Sequence, residues 1–188
     1  MKRYVGALVV LAVLVGCASL SVVEPKRTEI GRVYTVDPQI KWSRFYRGDV
    51  EIWTVDGLSL QAIHFIKGIE ENEPLVVTAA TGDREKWPRV ERKMTPNEIL
   101  EFVVDSLARL GYAQLQAHNL RPERFGRLQG FRFELTFLAS DGLEGQGLVV
   151  GAVIEKRLHL IMYVGTREHY YPKHIEEVER IIQSIELS

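Results

Sequence analysis

Two periods of hydrophobicity run through this chain. Positions alternate with period two in the strand-like stretches, and apolar residues recur every three to four positions over 96–110 and 172–185. The first strand is predicted near Val33-Tyr34 and a second, short one from Ile40 to Phe45, ended by the turn Arg47-Gly48-Asp49. That triplet spells an adhesion motif of animal matrix proteins, but Gly-Asp makes turns readily and a turn is the reading adopted. Val50 to Val55 and Leu58 to Ile66 are rich in β-branched and aromatic residues, and Asp56-Gly57 between them is a preferred pair for a two-residue hairpin turn. Leu58, Leu60 and Ala62 share one parity and Ile63 and Phe65 the other, which predicts a bulge near Gln61; Lys67-Gly68 ends the strand.

Residues 70–94 carry no clear period, and a connection this long is either functional or mobile. Thr95-Pro96-Asn97-Glu98 then combines a capping threonine, a proline for the first turn and a glutamate that completes a capping box, so a helix is predicted from Pro96 to Leu110, stopped by Gly111. Tyr112 to Leu120 reads as a strand and Arg121 to Arg127 as a loop marked by Pro122 and Gly126. Phe131, Phe133, Leu135 and Phe137 alternate with polar residues, Asp141-Gly142 supplies a hairpin turn, and Leu143 to Ile154 returns. Glu155-Lys156-Arg157 turns the chain into Leu158 to Val164. A last amphipathic helix runs from about Pro172 to Ile185.

These elements predict an α+β domain: an antiparallel sheet of about five to seven strands built from hairpins and packed by two amphipathic helices. Strands, helix, strand meander and terminal helix, over residues 33–188, form an order that resembles the Mog1/PsbP-like α/β/α sandwich. The resemblance rests on element order, not on a motif. That family includes assembly factors of photosystem complexes and a partner of a nuclear-transport GTPase, so the resemblance implies a binding role. It brings no shared catalytic residues.

The N-terminus adds an address. Lys2 and Arg3 precede an apolar run from Tyr4 that ends in Leu14-Val15-Gly16-Cys17, with the chain's single cysteine. This resembles the lipobox of bacterial lipoprotein signal peptides. The resemblance implies cleavage between Gly16 and Cys17, acyl chains on Cys17, and a membrane partner engaged through them. Each buried methylene adds about 0.8 kcal/mol and two or three chains hold firmly. It divides the chain into a signal peptide over 1–16, the lipidated Cys17 and a tether over 17–32, and one domain over 33–188. Ala18, in place of an aspartate, implies the periplasmic face of the outer membrane in a Gram-negative cell. The apolar run is shorter than the ~20 residues a spanning helix needs.

Composition removes several classes. The chain has 188 residues with 24 Lys and Arg against 25 Asp and Glu; loss of Lys2 and Arg3 leaves 22 against 25, a net charge of −3. That balance gives no reason to expect a nucleic-acid partner or a polybasic membrane patch. With Cys17 acylated no thiol remains for a disulfide, a nucleophile or a thiolate metal site. Five histidines are present, but His169 and His174 lie five apart across a proline, which does not suit metal ligation from one helical face. No serine lies in GxSxG. No cofactor and no metal are expected.

The candidate partner or ligand surface gathers around three features. Trp87 is either a lid over a pocket or a plug on the core, the second being favoured. Arg121, Arg124 and Arg127, with Arg132 beyond, offer an anion site unless Glu123 and Glu134 pair with them. Gly145 and Gly147, with Gly151, form a bare strip on one strand face that admits a packed helix or a ligand, the helix being favoured. Glu134 and Glu144 face each other across a hairpin only if its register allows. Three readings follow. The favoured one is a non-catalytic, lipid-anchored envelope protein that binds an envelope protein partner as an accessory or assembly module. The second is a carrier or sensor of a small apolar or anionic ligand, and the third a hydrolase whose site is assembled across the fold.

Overall fold

The computed structural model describes residues 21–75 and 87–188. Cys17 and the Gly16 cleavage position lie outside them, as do residues 76–86 of the aperiodic segment. The described chain forms β1 (Ser21–Val23), β2 (Thr28–Ile30), β3 (Tyr34–Val36), β4 (Trp42–Arg47), β5 (Val50–Thr54), β6 (Gln61–Ile69), α1 (Pro96–Arg109), β7 (Ala113–Phe125), β8 (Leu128–Leu138), β9 (Glu144–Ile154), β10 (Arg157–Thr166), α2 (Tyr170–Gln183) and β11 (Glu186–Leu187). Eight strands make one sheet in the order β1-β4-β5-β6-β10-β9-β8-β7, and β11-β3-β2 make a small second sheet. The fold is α+β, antiparallel throughout its strand pairs.

Alternation along the central strands sends side chains to two faces, and each face has its own core. On one, Phe131, Phe133, Leu135, Val149, Leu160 and Met162 pack with Ile99, Phe102, Val103 and Leu107 of α1. On the other, Leu148, Val150, Ile161 and Tyr163 pack with Val178, Ile181 and Ile182 of α2 and with Ile30, Tyr34 and Val36 of the small sheet. The helices therefore cover opposite faces of the sheet. The α1 start follows its sequence signal: Thr95 Oγ1 accepts from the Glu98 N–H while Glu98 accepts from the Thr95 N–H at 2.6 Å, and Gly111 takes a positive φ of 96° just beyond the end.

Four expectations are corrected. Residues 21–30, read as tether, contain β1 and β2: Val23 and Ile30 are buried, and the strands pair with β4 and β3. The partner of β1 lies well downstream, and β2, though it pairs with the adjacent β3 across a short turn, is only three residues long, so no local period announces either. The hairpin of β5 and β6 forms, yet Val55 to Leu60 all belong to the connection, with Leu60 and Gln61 N–H groups donating to the Gly57 carbonyl. The parity conflict at Leu58 and Leu60 is thus a longer turn, not a bulge at Gln61. The irregularity falls instead at Lys67-Gly68, where Ile66 and Ile69 face Leu160 and Leu158. Arg121 to Phe125 continue β7, since an edge strand tolerates Pro122. Glu134 faces Leu148 and Glu144 faces Leu138, so these two acids are not a cross-strand pair.

Candidate functional site

The face covered by α1 is only partly filled among the described residues. α1 runs over its β7–β8 side, and beyond the helix end a cleft of about 400 Å³ opens above β5, β6 and β10. Register builds its floor: Ile52 of β5 faces His64 of β6, which faces Met162 of β10, with Ile66 and Val164 alongside. One wall is the end of α1 with Leu107, Leu110 and Tyr112. The others are the β5–β6 turn with Leu58, the β8–β9 turn with Asp141 and Leu143, and Arg47 from β4.

Three side chains at its mouth stand out chemically. Leu58, Leu110 and Leu143 are 45%, 39% and 46% exposed, and they account for three of the seven large hydrophobic residues exposed among the described residues. Scattered exposed leucines are ordinary; three around one concave opening form an apolar rim.

The turn that carries Leu58 is held firmly. Thr54 Oγ1 donates to the Gln61 carbonyl at 2.7 Å and accepts from the Gly57 N–H at 3.0 Å. Asp56 is bound from α2 by Lys173 Nζ at 2.7 Å and by His174 Nε2 at 2.8 Å, and His174 lies against the Trp42 ring. The Lys173 ammonium, helped by His174, holds the Asp56 carboxyl below the usual carboxylate range. The rim on one face is thus tied to the helix on the other.

His64 is half-buried in the floor, and its ring makes no hydrogen bond to a described residue. Burial, with the Arg47 guanidinium adding to it, brings its imidazole down to about 4, so it stands neutral at neutral pH. Tyr112 packs edge-on to Phe137 at 5.0 Å; burial and then the Asp141 charge raise its phenol, against the pull of Arg47, and the hydroxyl keeps its proton. The cleft therefore combines apolar walls, a neutral imidazole, a phenol and a guanidinium. Such a set can bind and orient a ligand through hydrogen bonds and charge. Among the described residues no group of three or more His, Cys, Asp or Glu is placed to hold a metal ion.

The residues singled out in the sequence are dispersed. Gly145 lines the cleft, but its bare surface is filled by the ring of its cross-strand partner Phe137; a Cβ there would meet that ring at 2.1 Å. At Gly151 a Cβ would meet Leu160 at 2.6 Å and Phe131 at 2.8 Å, and at Gly147 it would make ordinary contacts with Leu135 and Val164. Neighbouring strands thus crowd the strip at Gly145 and Gly151, and at Gly147 the nearest atom is the Tyr163 carbonyl oxygen at 3.3 Å. Trp87 is half-buried and is not part of the cleft lining or of the α1-side core. Arg121, Arg124 and Arg127 are exposed along β7 and its turn, while Arg132 is buried on the α2 face and held by Glu179 at 2.7 Å and 3.1 Å and by Glu123 at 3.4 Å. Arg124 and Arg132 do line a second cavity of about 320 Å³, but Glu123 and Glu179 line it too, so it presents both signs of charge.

Sequence reasoning missed Arg47, His64 and the leucine rim. The signal available was the misfit of Leu58 and Leu60 with the β6 alternation, which is what apolar residues in a turn look like. No helix among the described residues is long and apolar enough to cross a membrane.

No family model matches this chain, and no curated protein matches it. Among solved structures it is similar to the solution structure of cyanobacterial PsbP (CyanoP) from Synechocystis sp. PCC 6803, with a TM-score of 0.47 and 14% sequence identity over 95% of this chain and 98% of that one.

Proposed function

We propose that this chain is a non-catalytic, lipid-anchored protein of the bacterial envelope that serves as an accessory or assembly module, binding an envelope protein partner at the cleft of the α1 face. The observation that carries this reading is the leucine rim. Three exposed leucines from three separate elements surround one apolar opening, and covering them removes apolar surface from water at about 25 cal/mol per Å². Structure spent on holding Leu58 outward, through Thr54 and Asp56, favours a surface that meets something. Acyl chains on Cys17 would keep the module at the membrane.

A second reading has one observation in its favour. The cleft volume of about 400 Å³ falls in the range of small-molecule pockets, which supports a carrier or sensor of a small apolar or anionic ligand.

Photo-crosslinking amino acids placed at Leu58 and Leu143 in the living cell separate the two. The expected result is one dominant protein partner at both positions, absent when the crosslinker replaces Val153, which is exposed elsewhere on the sheet. Leu58→Asp, combined with the crosslinker at Leu143, abolishes the capture. Only abundant envelope proteins at every position would remove the partner reading. For the anchor, radiolabelled palmitate enters the wild-type chain and not Cys17→Ser; equal labelling, or none in either, would remove it.

A further inference from the structure

The charges of the cleft say what kind of segment fits it. Arg47 is exposed at the β4–β5 turn and forms no ion pair among the described residues. The arginines drawn into covered surface are different: Arg44 meets Glu51, and Arg132 meets Glu179 and Glu123. Next to Arg47 in the lining stand Val50, Ile52 and Ile66, then His64, whose ring nitrogens have no partner among the described residues. Asp141 and Glu144 lie at the other end of the strands: the β4–β5 turn is level with the end of β6, and the β8–β9 turn with its beginning. Glu144 is already bound by Arg167 at 3.1 Å. A guanidinium without a carboxylate thus stands at one end, an apolar floor in the middle, and Asp141 beside the Glu144–Arg167 ion pair at the far end.

The exposed rim decides between a small molecule and a chain. A ligand that fills only the cavity leaves Leu58, Leu110 and Leu143 in water, whereas several residues of polypeptide cover cavity and rim together. Resting on the reading of the cleft as the binding surface, we infer that it takes an apolar polypeptide segment of the partner that carries one aspartate or glutamate, its carboxylate meeting Arg47 and its apolar side chains covering the floor and the leucine rim. The guanidinium fork matches a carboxylate with two parallel N–H donors, and such a charge-assisted pair selects acid over amide.

The test uses an array of acetylated octapeptides of Leu, Val and Ile in which a single Glu, Gln or Lys is stepped through every position, probed with the purified full chain. Glu peptides are expected to be retained about tenfold more tightly than their Gln counterparts, the effect of one charge-assisted contact. Lys peptides are expected to bind no better than Gln. Arg47→Gln is expected to abolish the preference for Glu over Gln, the ratio of the two retentions falling to about one; because Arg47 is exposed, its melting curve should match wild type. Equal retention of Glu and Gln peptides by the wild-type chain overturns the inference. So does decanoate shifting the His64 imidazole signals in NMR while no peptide does, which assigns the cleft to a fatty acid. If no peptide binds but crosslinkers at Leu58 and Leu143 still capture one partner, the segment chemistry falls and the accessory-module reading stands; if capture fails as well, both fall.

Discussion

Mild acid should destabilise this fold through two histidines that cannot accept a proton where they stand. His64 lies in the cleft floor and His159 is 3% exposed in β10 on the α2 face, its Nδ1 without a hydrogen-bond partner. Burial, with Arg47 beside the first and Arg157 beside the second, brings each imidazole from 6.5 down to about 4. In the unfolded chain both bind protons as the pH falls through 6.5; in the folded chain they stay neutral until about 4. The stability they represent is therefore complete above pH 6.5 and is lost as the pH falls from 6.5 toward 4. A tenfold difference in proton affinity between folded and unfolded chain is worth about 1.4 kcal/mol, so each histidine accounts for about 3 kcal/mol across the window. His64 meets water on its cleft side, and its share is expected to be the smaller.

Urea unfolding followed by circular dichroism at pH 7, 6 and 5, on the wild type, His64→Gln and His159→Gln, reads this directly. Between pH 7 and 5 the wild type should lose several kcal/mol, a large part of the about 5–15 kcal/mol that holds an ordinary domain together. Each variant should lose less over the same interval than the wild type does, His159→Gln least of all. NMR titration of the folded protein should leave both ring signals unmoved from pH 7 to 5. A wild-type stability that is flat across that interval, or either ring titrating near 6.5 in the folded state, would refute the reasoning.

Three further outcomes follow from named contacts. Asp56→Asn removes the ion pairs to Lys173 and His174 and should cost about 1–2 kcal/mol, with faster hydrogen exchange at Gly57 and Gln61. Because the Asp56 carboxyl is held low, its contribution should persist above the usual carboxylate pKa and vanish as the pH falls below it, so variant and wild type converge in strong acid. Gly145→Ala should destabilise by about 1–3 kcal/mol because its methyl meets the Phe137 ring, and pairing it with Phe137→Ala should recover part of that loss in a double-mutant cycle. Glu179→Gln should cost about 2–3 kcal/mol by leaving the buried Arg132 guanidinium with a weaker acceptor, whereas Glu176→Gln on the exposed side of α2 should change the denaturation midpoint by little.

What could be read in the sequence was local. The capping box at Thr95 and Glu98, the turns at Gly48-Asp49 and Glu155-Lys156, and the alternation of Phe131, Phe133 and Leu135 all concern residues a few positions apart, and all are in place. The failures share a different cause. β1 and β11 are three and two residues long and owe their existence to the distant β4 and β3, while β2, paired with the adjacent β3, is too short to show a period. Pro122 marks a loop in most contexts, and only the position of β7 at the sheet edge makes it a strand residue. The glycines at 145 and 151 were legible as a face that something approaches closely; that the visitors are Phe137, Phe131 and Leu160 depends on the register of β8, β9 and β10. The cleft is the extreme case. His64 becomes a floor residue only because register sets it between Ile52 and Met162, and Leu110 becomes a rim residue only because α1 ends over the sheet instead of at its margin.

The unequal treatment of the two faces links these observations to function. On the α2 face a helix and the small sheet bury Trp42, Trp53, Tyr34 and Phe125 almost completely. There, one buried arginine is matched by Glu179 and Glu123, and the β5–β6 turn is clasped by Asp56. Among the described residues the α1 face receives one helix together with Leu75 and Val90, and Arg47 and His64 are left unpaired beside an apolar floor. Single exposed leucines are ordinary, but three of them, 39% to 46% exposed, around one concave opening form an apolar patch that the packing of the fold does not require. The well-packed face holds the turn that presents one of them. On the proposed reading the well-packed face supports the binding face, and disturbing Asp56 should therefore weaken partner capture at Leu143 as well as stability, although Asp56 does not line the cleft.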